Sequence, residues 1–218
     1  MIQLDTLVSN RLLAMNKTSS GTRLPAAKRR ETTVQAVIDL AAAQNPAEIT
    51  TSDIAEKMQI TQGALFRHFA TKDAIWQAVV EWVTRRLLSR VDEAARTAAS
   101  PLEALEVVFM AHIESHGQHA GVPRIIFGEL QRAEDTPAKR AVREFMGQYV
   151  GKLQAFIEQG KAGGEIGPDV NAKAAATLFV GMIQGLVVQS LVSGSKGIPQ
   201  AKAHEIFALY RRSIRTAT

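Results

Sequence analysis

The side chains with the clearest chemical use lie in one short stretch of the chain. Thr61, Gln62, Arg67 and His68 are polar or basic and share the outer face of a short predicted helix. Gln62 can form two hydrogen bonds with adenine and Arg67 two with guanine. Each such pairing contributes roughly 1–3 kcal/mol of discrimination between bases. The alternative for Arg67 and His68 is an ordinary solvated surface.

Two short helices joined by a tight turn would position these groups. Ile54 and Met58 fall four residues apart on the first helix, and Leu65 and Phe69 repeat that spacing on the second. The small Ala55 lets the two helices cross closely. This pattern predicts a helix-turn-helix whose second helix enters the DNA major groove.

A second group of chemistry-bearing residues is the row His112, His116 and His119, which share one helical face. Two histidines four residues apart can chelate zinc or nickel, with Glu129 as a further ligand. However, His119 follows Gly117, where the helix is expected to end. The alternative is that these histidines line a pocket or a helix end, and no metal is expected.

Features typical of an enzyme do not accompany these groups. The sequence shows no Ser-His-Asp order, no phosphate-binding glycine loop and no paired carboxylates. It contains no cysteine, which excludes disulfides, thiolate zinc sites and thiol catalysis. We therefore expect neither catalysis nor a cofactor, and the lack of cysteine is consistent with a cytoplasmic location.

Length and charge agree with a DNA-binding protein. The 218 residues can bury one large core or two small ones. The formal net charge is +5, and from Arg11 to Lys72 nine Lys or Arg residues face five Asp or Glu residues. A basic patch beside a helix-turn-helix suits phosphate neutralisation, whereas alone it would indicate only a solvated surface.

The whole chain is predicted to be helical, since no stretch alternates between apolar and polar residues. Hydroxyl and proline residues mark the helix starts. Besides the helix-turn-helix, the predicted helices span about residues 25–44, 72–98, 100–116, 123–133, 136–161, 171–192 and 199–216. Nine helices in an all-α fold are therefore expected.

Two apolar stretches have some features of a targeting or membrane segment. Asp5 and Arg11 interrupt the apolar run that a signal peptide needs. The 22 residues from Ala174 to Ser195 carry no charge and are long enough to cross a bilayer. Gln184 and Gln189 would be costly in hydrocarbon. A helix buried between protein partners is therefore expected, with no membrane.

The last two predicted helices indicate an interface between subunits. The first is apolar around most of its circumference and the second has one apolar stripe. Two such helices from each subunit can form a four-helix bundle, with Gly181 and Gly185 permitting close approach. The predicted interface residues are Leu178, Met182, Ile183, Leu186, Leu191, Phe207, Tyr210 and Ile214.

The segment ITQGALFRHFATKDAIW, from Ile60 to Trp76, resembles the DNA-binding domain of the tetracycline-repressor (TetR) family of transcription regulators. Thr50-Thr51 and Ile54-Ala55 carry the same resemblance, which covers roughly residues 26 to 80. The remainder matches only in the number and lengths of its helices. The resemblance implies a homodimer that binds a palindromic operator in double-stranded DNA, usually represses, and releases DNA when a small-molecule effector binds.

The family architecture implies three parts of the chain. Residues 1–23 would be an N-terminal extension, residues 24–71 the helix-turn-helix domain, and residues 72–218 the effector-binding and dimerisation domain. The alternative is a DNA-binding protein of the same fold that lacks an effector and acts in chromosome organisation or division.

The resemblance also assigns roles in DNA contact. Thr51, at the head of a helix, would bind a phosphate, which the positive helix end also favours, and Lys72 would neutralise another. The residues expected to reach base edges or flanking phosphates are Ser52, Gln62, Gly63, Ala64, Arg67 and His68. Lys28, Arg29 and Arg30 suit backbone or minor-groove contact, with a solvated helix head as the alternative.

Two residues depart from the family pattern. Phe66 replaces a tyrosine whose hydroxyl binds a phosphate, so Phe66 is expected only to pack. Gln59 replaces a glycine in a left-handed turn conformation, at a cost of about 1 kcal/mol.

An effector pocket is also implied, and the residues expected to line it are Phe109, Ile113, Phe127, Phe145, Tyr149 and Met182. The few charges among them favour a largely apolar ligand. Taken singly, each of these residues could equally be part of the core.

Overall fold

The computed structural model describes residues 26–195 and 197–216. Within these residues the chain folds into nine α-helices and no β-strand, with one isolated bridge between Ile166 and Arg215. The helices are α1 (Ala26–Ala43), α2 (Thr51–Lys57), α3 (Gln62–Phe66), α4 (Lys72–Thr97), α5 (Pro101–Gln118), α6 (Gly121–Gln131), α7 (Pro137–Ala162), α8 (Ala172–Val192) and α9 (Gln200–Ile214). The all-α prediction is confirmed. The predicted extension, residues 1–23, lies outside the described residues.

Side-chain oxygens begin most of these helices. Each accepts a hydrogen bond from the backbone N–H three residues on, which would otherwise have no helical partner. The capping residues are Thr50, Thr61, Thr71, Ser100, Thr136 and Asn171. Because these signals are local, the helix starts follow the sequence closely. The main difference is α6, which begins at Gly121 rather than at Pro123.

The buried side chains form two clusters that meet along α4. The first cluster joins α1, α2 and α3 to the first half of α4, with Val37 and Phe69 among its buried members. The second joins the rest of α4 to α5, α7, α8 and α9 around Phe109, Phe179 and Phe207. The division in packing therefore lies inside α4.

Helix α6 bridges the two clusters. Ile125 is buried in the first cluster, while Phe127 packs against the second. At Gly121, an added Cβ would lie 1.9 Å from the carbonyl oxygen of Ile38 and 2.9 Å from the amide nitrogen of Ala42, both in α1. Only a residue without a side chain allows α6 to approach α1 this closely.

Helix α8 is the one helix of the described residues long and apolar enough to cross a bilayer by length and composition. Its buried face packs inside the second cluster through Ala175, Phe179, Ile183 and Leu186. Core packing therefore accounts for the apolar character of that face.

Candidate nucleic-acid interface and ligand cavities

The N-terminus of α2 is held by a reciprocal pair of hydrogen bonds. The Asp53 amide donates to Thr50 Oγ1 at 3.2 Å, and the Thr50 amide donates to Asp53 Oδ2 at 2.7 Å. The bond from the Thr50 backbone is the main cause of the lowered pKa of the Asp53 carboxyl. This capping box fixes the helix end at which Thr51 and Ser52 lie.

The turn between α2 and α3 contains the only non-glycine residue of the described chain with a positive φ. Gln59 has φ of 55°, in the left-handed region that favours glycine. The expected left-handed conformation of Gln59 is confirmed. The turn at Gln59 reverses the chain between α2 and α3, and Leu65 and Phe69 are buried on the inner side of the second helix.

The outer face of α3 carries the side chains that the sequence assigned to DNA contact. Gln62, Gly63 and Arg67 are exposed, and Ala64 and His68 are half-buried. A Cβ on Gly63 would meet nothing within 4 Å, so this surface is open to close approach. The exposed side chains can therefore reach a partner.

Gln62 joins α3 to the head of α2. Its Nε2 donates to Ser52 Oγ at 2.7 Å and lies 3.2 Å from Thr51 Oγ1. Three of the predicted DNA-contact side chains thus meet in one polar cluster. Since these side chains bond to one another and are not tied to other described side chains, a phosphate or base edge can replace the bonds.

Two of the basic residues assigned to DNA contact, both exposed on α1, also bond to other parts of the chain. Arg30 donates from Nη1 to the His68 carbonyl oxygen at 3.2 Å, and its guanidinium lies 4.6 Å from the ring centroid of Phe69. Lys28 pairs with Glu31 at 3.1 Å. Arg30 therefore supports the end of α3 from α1, a role that the sequence did not suggest.

Lys72, at the first position of α4, is half-buried. Its Nζ donates to the Ala47 carbonyl oxygen at 3.3 Å and lies 5.0 Å from the Trp76 ring centroid. Burial and the positive charge of Arg132 lower the pKa of Lys72. Its ammonium group is thus fixed at a helix N-terminus, where an anion is favoured.

The expectation for Phe66 was wrong. Its side chain is 44% exposed, because Leu65 and Phe69 occupy the buried positions of this segment. Phe66 therefore projects from α3 with its apolar ring available to a partner.

A cavity of about 110 Å³ lies between α4, α5, α6, α7 and α8. We call it the apolar cavity, and its lining comprises Val83, Leu87, His112, Val122, Pro123, Ile126, Phe127, Phe145, Met146, Tyr149, Val180, Ile183, Gln184 and Val187. Of the six residues predicted to line an effector pocket, Phe127, Phe145 and Tyr149 line this cavity. Phe109, Ile113 and Met182 are not among its lining residues.

A smaller cavity of about 50 Å³ adjoins the apolar cavity and shares His112 and five apolar residues with it. We call it the histidine cavity, because His112, His116 and His119 all line it, together with Trp82, Arg86 and Ser115. The row of histidines therefore lies at a pocket. No group of three metal-ligating side chains forms within the described part of the chain. The carboxylate of Glu129 accepts hydrogen bonds from Thr136 and Arg132 instead.

Five residues of the predicted dimer face are instead buried in the core of the chain. They are Ile183, Leu186, Phe207, Tyr210 and Ile214. A helix that is apolar all round has two faces to cover, and composition alone does not show which face turns inward. Of the predicted set, Leu178 is 50% exposed and Met182 and Leu191 are half-buried.

The outward face of α8 carries a regular apolar stripe, spaced alternately three and four residues apart. We call it the α8 stripe, and it consists of Leu178, Gly181, Gly185, Val188 and Val192, all exposed. A Cβ on either glycine would meet nothing within 4 Å, so no contact inside the subunit requires a glycine there. On α9, Leu209 is also exposed. Such spacing is that of a helix–helix seam.

Two family models match the chain. The model described as bacterial regulatory proteins, tetR family, matches residues 34–79, and the model described as tetracyclin repressor-like, C-terminal domain, matches residues 98–188. The first match contains α2, α3 and the turn between them. The second contains the helices that line both cavities, apart from α4.

Curated relatives of similar length include the nucleoid occlusion factor SlmA of two Vibrio species. The Vibrio vulnificus protein is 23% identical over 188 residues, covering 86% of this chain and 96% of the relative. The Vibrio cholerae protein is 24% identical over 188 residues, with the same coverage.

Solved structures share the fold at low sequence identity. The fatty acid degradation regulator FadR from Bacillus halodurans has a TM-score of 0.76 at 15% identity, covering 87% of this chain and 96% of that one. FadR from Bacillus subtilis, in complex with stearoyl-CoA, has a TM-score of 0.74 at 18% identity, covering 83% and 96%. The ketosteroid transcriptional regulator KstR2 of Mycobacterium tuberculosis has a TM-score of 0.70 at 23% identity, covering 87% and 96%.

Proposed function

The chain belongs to the tetracycline-repressor (TetR) family of bacterial transcription regulators, and we propose that it acts as a homodimeric, ligand-responsive repressor. In this proposal the two α3 helices of the dimer read a palindromic operator on cytoplasmic DNA, and a small ligand in the cavities releases them. The observation that carries the proposal is the exposed polar face of α3 above buried Leu65 and Phe69.

The polar cluster of Gln62, Ser52 and Thr51 supports contact with DNA. A side chain held by exchangeable hydrogen bonds loses less conformational freedom on binding than a free one. Arg67 is exposed beside the cluster and can pair with guanine. The exposed ring of Phe66 suits an apolar contact with a thymine methyl group.

The α8 stripe supports a dimer through α8 and α9. Leu178, Val188 and Val192 are 50%, 46% and 84% exposed, an arrangement that a second copy would cover. The glycines between them allow the partner helix to approach closely. A two-fold axis through this seam would place two α3 helices on one face of DNA, where successive major grooves lie about 34 Å apart.

Helix α6 supports communication between ligand and DNA. Ile126 and Phe127 line the apolar cavity, while Gly121 packs against the backbone of α1. At the other end of α6, Arg132 Nη1 lies 3.3 Å from Asp73 Oδ1, immediately after Lys72. A ligand that displaced α6 would therefore shift both α1 and the start of α4.

A second candidate is an effector-independent protein of chromosome organisation. It is favoured by the relatives named nucleoid occlusion factor, which match over most of the chain. Mapping the protein along its own chromosome separates the two functions. Binding at one or a few operators, including one beside its own gene, supports the repressor. Many scattered sites support the second candidate.

The dimer is tested by Leu178→Glu, which places a charge in the α8 stripe. We expect this variant to be monomeric in analytical ultracentrifugation and to lose operator binding. The matched control is Val107→Glu on α5, which is 39% exposed and lies off the stripe. A dimeric Leu178→Glu variant would contradict the proposed seam.

A further inference from the structure

The two cavities adjoin but differ in chemistry. Apolar side chains make up most of the wall of the apolar cavity, where His112, Tyr149 and Gln184 supply the polar atoms. The histidine cavity, of about 50 Å³, is lined by three histidines together with Ser115 and Arg86. The exposed guanidinium of Arg86 lies 5.4 Å from the Trp82 ring centroid and donates to Gln118 Oε1 at 3.4 Å. His112 belongs to both cavities and shares a hydrogen bond with the Tyr149 hydroxyl at 3.1 Å. A molecule spanning both would meet an apolar region at one end and a polar region at the other.

Three nitrogen atoms of the histidine cavity have no hydrogen-bond partner among the residues that the structure describes. They are Nδ1 of His116 and both ring nitrogens of His119, and all three are inaccessible to solvent. Leaving a buried polar atom unpaired costs about 1–3 kcal/mol, and such groups are rare outside functional sites. A ligand that bonds to these nitrogens would recover part of that free energy.

The neighbours of His116 fix which of its nitrogens carries the proton. The Ser190 hydroxyl donates to the Val187 carbonyl oxygen at 2.8 Å, so it accepts from His116 Nε2–H at 2.8 Å. Nδ1 is therefore an unprotonated acceptor. His119 packs edge-on against Trp82 with ring centroids 5.0 Å apart, and in its neutral form offers one donor and one acceptor. The cavity can thus both give and receive hydrogen bonds.

The charge around the cavities favours an anion. Of the described side chains that line either cavity, only Arg86 is ionised at neutral pH, and none is acidic. Burial lowers the pKa of all three histidines, so they are neutral there without a ligand. Asp39 exerts a weaker opposing influence on His119. A carboxylate would meet the positive charge of Arg86 and the one N–H donor of neutral His119, without a negative group in the lining. His116 Nδ1 would have to take up a proton on binding before it could donate to the carboxylate.

We propose that the two cavities bind a compact monocarboxylate, with its carboxylate in the histidine cavity and its ring or short branched chain in the apolar cavity. The proposal rests on the ligand-responsive function proposed above. The size follows from the volumes, because a cavity of about 150 Å³ holds benzene. The two cavities together therefore fit a single ring bearing one polar group.

Isothermal titration calorimetry of the full-length protein with benzoate and its neutral isostere benzamide tests the proposal. We expect benzoate to bind at least ten-fold more tightly than benzamide. His119→Phe keeps the ring against Trp82 but removes both nitrogens, and should reduce that preference to about three-fold or less. The matched control is His204→Phe on α9, an exposed histidine outside both cavities, which should leave the preference unchanged.

A second variant covers the case in which His119→Phe fails to fold. Arg86 is exposed, so Arg86→Gln should fold normally while lowering benzoate affinity and leaving benzamide affinity unchanged. Equal binding of benzoate and benzamide by the wild-type protein would overturn the proposal. So would the absence of binding to benzoate, phenylacetate and cyclohexanecarboxylate at millimolar concentration, or a full preference retained in both variants.

Measuring operator binding with the same preparation distinguishes a failure of the proposed ligand class from a failure of the proposed repressor function. A protein that binds its operator but ignores these carboxylates overturns the ligand class alone. A protein that binds carboxylates but no operator overturns the proposed repressor function alone.

Discussion

The polar side chains of the helix-turn-helix and those of the two cavities differ in direction and in hydrogen bonding. Around α3, the polar groups point outward and bond to one another, as Gln62 does with Ser52. In the histidine cavity the polar groups point inward, and within the described chain the ring nitrogens of His119 have no hydrogen-bond partner. The first arrangement is stable alone and exchanges its bonds on contact with DNA. The second arrangement leaves buried nitrogen atoms without hydrogen bonds, which a ligand can provide.

Helix α6 connects the two regions, because it lines the apolar cavity and packs against α1 beside the helix-turn-helix. The largest effect should therefore come from disturbing it. Gly121→Ala would place a Cβ 1.9 Å from the Ile38 carbonyl oxygen, so α6 must move away from α1. We expect a loss of about 3 kcal/mol in the free energy of unfolding, at the upper end of overpacking effects. Chemical denaturation measures it.

The same helix contains the control. A Cβ on Gly128 would meet nothing within 4 Å, so Gly128→Ala should leave stability unchanged or raise it by up to about 1 kcal/mol. If both alanine variants behaved alike, α6 would not be the close link between the two regions.

Arg67→Ala should separate DNA reading from folding. Arg67 is exposed and loses no packing, so the Tm should stay unchanged. Losing a guanine contact should weaken operator binding by about 1–3 kcal/mol per half-site. Fluorescence anisotropy at fixed salt measures the affinity, with Arg90→Ala on the outer surface of α4 as the control. Equal affinity of both variants would show that α3 is not the reading helix.

Acid should weaken the two regions in different pH ranges. The pKa of His112 is lowered to about 4 in the fold by burial first and by His116 second, from an ordinary value near 6.5. Between these two pH values His112 is protonated in the unfolded chain but neutral in the folded chain. The stability contributed by neutral His112 is therefore complete above about pH 6.5 and is lost as the pH falls toward 4.

The capping box of α2 also loses stability in acid, but at lower pH. The pKa of Asp53 lies below its ordinary value of 3.8, so its stabilisation is lost only as the pH falls below about 4. Because His112 titrates in the higher range, the Tm of the wild-type protein should fall between pH 7 and pH 5. His112→Gln should make this fall smaller, whereas His204→Gln should leave it unchanged. If the Tm fell equally with acid in both variants, a group other than His112 would be responsible for the fall.

The smallest effect is expected at the turn of the helix-turn-helix. Gln59→Gly should relieve the left-handed strain and raise stability by about 0.5–1 kcal/mol, leaving operator affinity unchanged. Gln148→Gly, in the interior of α7, should instead cost about 1 kcal/mol. Denaturation midpoints of the two variants compare them directly. A destabilised Gln59→Gly protein would mean that the Gln59 side chain contributes more than its backbone conformation costs.

The sequence predicted the first region well because its signals are local. The spacing of Ile54, Leu65 and Phe69 indicated which faces are buried, and hydroxyl residues marked the helix starts. Phe66 was misjudged because a replaced tyrosine indicates a lost hydroxyl but not the direction of the ring. The contact of Gly121 with α1 joins segments about 80 residues apart and leaves no periodic signal.

The second region was harder because α8 is apolar around most of its circumference. Its apolar residues alone could not show that Ile183 turns inward while Leu178 turns outward. Likewise, the spacing of the three histidines indicated a shared face, but not that Trp82 and Arg86 of α4 would complete a cavity with them. The residues that define the ligand site therefore emerge only from the packing of separate helices.

The most direct test of DNA reading by paired α3 helices is a footprint on duplex fragments selected from the organism's own genome by the purified protein. We expect two protected segments in successive major grooves, centred about 10 base pairs or a multiple apart. Arg67→Ala should weaken both equally. Protection without sequence preference, or a footprint that Arg67→Ala leaves intact, would contradict the account.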